Sequence, residues 1–233
     1  MNRFELILLV FTAFLPPILY AVWIRNTERV HREKWSAIAF CFLWGATIAI
    51  ISALLLEIFL DVSVTVSLRT GSLVQIIATI MIAPFAEELV KPLALKRRTV
   101  KKELREPEDG LIFGAVAGLG FSATENLFYG WSFLSEGLII FLILMLLRSF
   151  GGCLLHASAT ALTGYGYGKT VLNHTSFIRV IPYFVVAMLV HGLYNFLVSW
   201  DEIGVFMGLM IAFGMVFVLI GYVRHKIQVL DAS

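Results

Sequence analysis

The stretch Gly71-Ser-Leu-Val-Gln-Ile-Ile-Ala-Thr-Ile-Met-Ile-Ala-Pro-Phe-Ala-Glu-Glu-Leu-Val-Lys-Pro-Leu-Ala-Leu95 is apolar over most of its length and carries all its charge near one end, at Glu87, Glu88 and Lys91. About 20 apolar residues cross a bilayer core, so the segment reads as a membrane helix. A charged side chain near the bilayer centre costs about 2.5–3.5 kcal/mol, and two adjacent carboxylates repel each other as well. Such groups persist in a span where they line a polar cavity. Lys91 is i+4 from Glu87 and i+3 from Glu88, within reach of either. One lysine cannot neutralise two carboxylates, so a structural ion pair alone does not account for them. Pro92 removes one intrahelical hydrogen bond and is expected to bend or end the helix there.

The rest of the chain agrees with a membrane setting. Of 233 residues, 59% are hydrophobic and 15% charged, against about 25% charged in a soluble domain. Mean hydropathy is +0.88. The expected fold is an all-α polytopic bundle forming one integral membrane domain over 1–233. Within it, spans 71–198 form a catalytic core, with 1–60 and 204–233 peripheral. The run Phe4–Ile24 lacks a basic leader and a clear small-residue cleavage site, which makes it a retained span rather than a signal peptide. Cys41 and Cys153 both lie in apolar segments, so a disulfide framework is not indicated. Nothing in the charge pattern suggests nucleic acid; the expected partners are the lipid bilayer and a membrane-anchored protein substrate.

Candidate spans fall near 4–24, 35–60, 71–95, 110–130, 176–198 and 204–223. The longer stretch 133–168 crosses either once, giving seven spans, or twice, giving eight. Basic residues favour seven. With one crossing, Arg25, Arg29, Arg32 and Lys34, the 96–105 cluster, Lys169, Arg179, Arg224 and Lys226 share one side. That side holds 14 of the 18 lysines and arginines, against Arg3 and Arg69 opposite. Basic loops stay in the cytoplasm, so the N-terminus is expected outside and the C-terminus inside, in the plasma membrane. The basic loops themselves read as topology determinants.

Further polar residues lie in other spans. Glu125, beside Asn126 and one turn after Phe121, reads as cavity-lining, because a carboxylate is too short to snorkel. Gly114, Gly118 and Gly120 permit close helix approach. His156 follows Gly151-Gly152, and His191 shares a helix face with Asn195. Each histidine is either a helix–helix hydrogen-bond partner or, with the glutamates, a ligand of zinc or another divalent metal. Arg148 either anchors a kink or lines the cavity. Glu57 reads as reaching the interface, and Asp109 as capping the fourth span.

This set suits peptide hydrolysis inside the membrane. Glu87 or Glu88 can act as general base on water. A metal on His156, His191 and a glutamate would polarise a carbonyl, and Asn195 can donate to the oxyanion. A metal-free glutamate–histidine pair is the other version. His-Glu-x-x-His is missing, and the aspartates Asp61, Asp109, Asp201 and Asp231 all lie in loops or at ends. A serine mechanism through Ser122 and His191 would leave the glutamates without a role.

At Glu87-Glu88-Leu-Val-Lys91, Phe121-Ser-Ala-Thr-Glu125-Asn126, His156 and His191-Gly-Leu-Tyr-Asn195 the chain resembles the PrsW family of intramembrane proteases, over roughly residues 71–198. These are distant relatives of the CAAX prenyl endopeptidases, which carry histidine where this chain has Glu125. The resemblance implies cleavage of membrane-anchored, anti-sigma-factor-like proteins in stress signalling. It carries Glu87, Glu88, Glu125, His156 and His191 over as candidate catalytic residues; Glu87, Glu125, His156 and His191 are the candidate metal ligands. Lys91, Phe121 and Asn126 support them. The competing readings are a secondary transporter or ion channel using the same carboxylates, and a non-catalytic membrane scaffold. The expected topology puts Glu87 and Glu88 on the order of 10 Å below the other three motifs at 1.5 Å per residue.

Overall fold

The computed structural model describes residues 2–68, 70–199 and 204–232; Arg69 and Asp201 lie outside them. All regular structure among the described residues is helical. The elements are α1 (Arg3–Arg25), α2 (Trp35–Trp44), α3 (Ile50–Ser67), α4 (Leu73–Val90), α5 (Arg98–Lys101), α6 (Pro107–Phe133), α7 (Leu138–Phe150), α8 (Gly152–Leu172), α9 (Ile181–Ser199) and α10 (Val205–Asp231). The surface is inverted relative to a water-soluble protein. Large apolar side chains such as Leu55, Phe59, Ile139 and Val218 face outward, while Glu88, Lys91, Ser122 and His156 are buried. In lipid that arrangement is the stable one, since the polar groups must find partners inside the protein. The protein is therefore a multi-pass membrane protein.

Among the described residues, six helical units are long and apolar enough to cross a bilayer: Arg3–Arg25, Trp35–Ser67, Pro107–Glu136, Leu138–Leu172, Phe177–Ser199 and Phe206–Asp231. The seventh expected crossing, 71–95, is not among them. Its α-helix stops at Val90 and continues as a 3₁₀ helix over Lys91–Lys96. The proline at position 92 cannot donate the next α-helical bond. The 18 α-helical residues of α4 span about 27 Å, just under the ~30 Å hydrocarbon core.

α2 and α3 form one rod through a π-helical turn at Gly45–Ala49. There the Thr124 hydroxyl of α6 donates to the Ala46 carbonyl (2.7 Å), the kind of local widening that recurs at functional positions. α6 starts with a capping box. Asp109 accepts from the backbone amides of Arg105 (2.6 Å) and Glu106 (2.9 Å), so it caps the fourth expected span from the third helical position.

α6 is the centre of the molecule, and α7–α8 run antiparallel along all of it. A side chain at Gly110 would collide with the Gly164 carbonyl, at Gly114 with that of Thr160 and at Gly118 with that of His156. Farther along, Asn126 meets Arg148, and Gly130 packs against Met145 and Phe141. The series never reverses. Gly151 joins α7 to α8 in a right-handed helical conformation, so the two are one bent rod. From Leu138 onward the 133–168 stretch thus runs in a single direction and crosses once. Gly137, at φ +109°, makes the reversal between α6 and α7, a conformation that favours glycine.

Candidate functional site

The 35-residue α7–α8 rod explains why the expected offset is absent. His156 is near the middle of that rod, not near its end, and it lies level with the last turn of α4. There Glu87, Glu88 and Lys91 meet His156 and Thr160 of α8 and His191 of α9. His191 is brought in by its neighbour Gly192, which packs against Met81 and Pro84 of α4. Ligand atoms of Glu87, Glu88, His156 and His191 all lie within 4.8 Å of one another, and all four residues are buried.

Lys91 is the hub, with no exposed surface. Its ammonium donates to Glu87 Oε2 (2.7 Å), Glu88 Oε1 (2.9 Å) and His156 Nδ1 (2.8 Å). An ammonium has three donors, and all three are used. It also sits 4.3 Å from the centre of the Phe121 ring, where the ring face attracts a cation. Phe121 in turn packs against His156, centroids 5.6 Å apart. The expected pairing of Lys91 with the two glutamates is present, and the third contact adds to it.

Two carboxylate–imidazole pairs flank the hub. Glu88 Oε1 accepts from His191 Nδ1 (3.0 Å), while Glu88 Oε2 accepts from the Thr160 hydroxyl (2.9 Å). On the other side, His156 Nε2 lies 2.7 Å from Glu125 Oε2. Arg148 donates to that same oxygen (2.7 Å) and to Asn126 Oδ1 (2.7 Å). Arg148 therefore belongs to the polar network instead of only anchoring the bend. Asn126 and Ser122 both turn to the Cys153 sulfur, at 3.4 and 3.5 Å. Both cysteines are free and buried.

These groups face a cavity of about 640 Å³ between α3, α4, α6, α7, α8, α9 and α10. Glu87, Glu125, His156, His191 and Asn195 line it; Glu88 does not. Glu125 stands apart from the four-residue cluster, on the far nitrogen of His156. Glu57, expected to reach the membrane interface, lines the cavity instead. Thr160 was not anticipated, although it lies one helical turn after His156 on the same face.

A family model described as "PrsW family intramembrane metalloprotease" matches residues 33–222. The chain belongs to this family. A relative named "Protease PrsW" from Clostridioides difficile (strain 630) is 31% identical over 121 residues, 52% of this chain and 49% of that protein. The matched region thus spans about half the length of that curated relative. No solved structure matches. The match on 33–222 takes in every member of this PrsW-family cluster, from Glu87 to Asn195.

Proposed function

We propose that the chain is an intramembrane endopeptidase hydrolysing a peptide bond in membrane-anchored, anti-sigma-factor-like proteins. It acts in the plasma membrane with its N-terminus outside and its C-terminus in the cytoplasm, an orientation in which the shorter α4 and the 3₁₀ helix after it complete a seventh crossing. The observation that carries this reading is the convergence of Glu87, Glu88, His156 and His191, from three helices, at the wall of a cavity large enough for an unwound stretch of substrate, with Glu87, His156 and His191 facing it. A transport path does not need two imidazoles each held by a carboxylate.

The roles follow from what each atom faces. Glu87 lines the cavity beside His191, its Oε2 3.9 Å from His191 Nε2, and acts as the general base on water. Glu88 lies behind it. Its bond to His191 Nδ1 fixes the imidazole with a proton on that nitrogen, leaving Nε2 as an acceptor towards the cavity. In the metal-free version His191 then moves the proton to the leaving amine. Glu125 and Arg148 hold His156, and Asn195, on the cavity wall, donates to the oxyanion.

The donor set fits a divalent metal. Two imidazoles and two carboxylates in this spacing are ligands zinc takes, and the Lys91 ammonium shows that the point where they converge favours a cation. Glu87, Glu88 and His191 would hold the ion, joined by His156 once Lys91 withdraws; we assign zinc, in keeping with the Glu87 and histidine ligands anticipated above. When bound it supplies Lewis-acid polarisation of the carbonyl and a more acidic water.

Purified protein cutting a model single-span substrate tests the reading. Glu87→Ala, Glu88→Ala and His191→Ala should each abolish the product while inserting normally into membranes. Full activity in all three would sink the proposal. Near-stoichiometric zinc in the wild type, absent from a His156→Ala/His191→Ala double variant, would support the metal assignment; a metal-free preparation that cleaves would overturn it.

A further inference from the structure

A second group of buried acids lies outside the cavity described above, where the α1–α2 loop meets the start of α6. Ligand atoms of Glu28, Glu33 and Asp109 come within 4.8 Å of one another. Glu28 is 0%, Glu33 3% and Asp109 3% exposed. Both carboxylate oxygens of Glu28 and both of Glu33 are buried without a hydrogen-bond partner, as are those of Glu108 next to Asp109. A buried charge without a partner is strongly destabilising, so buried carboxylates left bare call for a counter-charge.

The basic side chains nearby do not supply it. Lys34 and Arg105 both pair with Glu103, each at 2.9 Å. His31 lies 3.4 Å from Glu106. Arg32 donates to the backbone carbonyl of Glu28 (2.9 Å) and Arg25 to that of Glu33 (2.8 Å). Beside Glu33 and Asp109 is a small polar cavity of about 60 Å³, walled also by Glu103 and Glu106 and by the basic side chains of His31, Arg32, Lys34 and Arg105; Glu28 lies behind this wall and not on it. A liquid water takes about 30 Å³, so there is room for an ion with a water or two.

We propose that Glu28, Glu33 and Asp109 form a binding site for a hard divalent cation of the magnesium, calcium or manganese class, which pins the 26–34 loop to the start of α6. Carboxylate oxygens with retained waters are what such ions take; no imidazole or thiolate contributes, which separates the site from the histidine-containing cluster. The competing occupant is a proton shared between Glu28 and Glu33. Burial, and then the neighbouring Glu28, push the Glu33 carboxyl up to about 10. A cation binding there displaces that proton.

Manganese provides the test. Full-length protein in detergent, stripped with chelator, is titrated with Mn²⁺, and the free-ion paramagnetic resonance signal is followed. One ion should bind to the His156→Ala/His191→Ala variant, be displaced by Mg²⁺ or Ca²⁺, and raise the thermal midpoint. The isosteric Glu33→Gln variant and a Glu28→Gln/Glu33→Gln double variant should weaken binding at least tenfold. Absence of bound Mn²⁺ in the wild type, or binding that survives both glutamine variants, would overturn the site. A folded Glu33→Gln protein as stable as the wild type, with and without the ion, would assign the pair to a shared proton.

Discussion

Replacing Lys91 by methionine keeps an unbranched side chain one atom shorter and removes its charge and three donors. In the wild type that ammonium is fully buried and lies 2.7–2.9 Å from Glu87, Glu88 and His156. Removing one partner of a buried pair costs about 3–5 kcal/mol, because the other charge is left uncompensated. Here two carboxylates lose their cation, while Glu88 keeps Thr160 and His191. At about 2–4 °C per kcal/mol for a chain of this size, the midpoint should fall by roughly 6–20 °C. The same vacancy improves a metal site. The four proposed ligand residues remain within reach of a common ion, which no longer competes with an ammonium. An ion at a hundred times its dissociation constant returns about 2.7 kcal/mol. The assay is thermal unfolding in detergent, wild type beside Lys91→Met, with chelator and then with Zn²⁺. Zinc should shift the variant by more degrees than the wild type. Equal stability of the two proteins in chelator would refute the counter-charge role. Equal zinc shifts would refute the shared position of ammonium and metal.

Other substitutions separate chemistry from support. Glu88→Gln should lower cleavage about 10–100-fold, the usual effect of disturbing a carboxylate that orients an imidazole, and should reshape the pH–rate profile more than substrate binding; an unchanged profile at full rate would remove Glu88 from the relay. Arg148→Leu should reduce cleavage because Glu125 loses its partner at 2.7 Å, and Arg148→Lys should restore only part of it, lacking the second contact to Asn126; full rescue by lysine would mean that charge alone matters. Gly118→Val should cost about 1–3 kcal/mol or more as an overpacking change, since its side chain would meet the His156 carbonyl; an unaltered midpoint and rate would show that the α6–α8 approach does not position the site.

Much of the fold could be read from local sequence because it depends on local chemistry. Apolar runs gave the helices, Pro92 ended one, and Asp109 capped another. The features that needed the folded protein are those fixed by distant contacts. Nothing in Phe42–Ala53 distinguishes a π-turn from ordinary helix until Thr124 is placed against Ala46. Gly151-Gly152 marks an interruption, but whether the chain bends or reverses there depends on one backbone angle. Packing against the whole length of α6 selects the bend. Glu57 looked peripheral because its distance along α3 says nothing of which face looks inward. The acids at 28 and 33 were hidden by their neighbours. A loop with four basic residues reads as a positive one, and only the turning of Lys34 to Glu103 and of Arg25 and Arg32 to backbone carbonyls exposes the bare carboxylates.

The site motifs were visible as residue types, but not the division of labour between the two histidines, which hydrogen-bond direction assigns. Lys91 donates a hydrogen bond to His156 Nδ1, so that nitrogen is an acceptor and the other ring nitrogen donates to Glu125. Both positions of His156 are thus occupied within the protein. His191 gives its Nδ1 proton to Glu88 and keeps Nε2 towards the cavity beside Glu87. Two imidazoles that look equivalent in sequence therefore have different capacities. The one on α9 can exchange a proton or bind an ion without rearrangement, while the one on α8 can do so only if Lys91 moves. The lysine one turn after the glutamates thus occupies the one lone pair of His156 that faces the glutamates, and on the reading proposed above its release would be what opens His156 to an ion.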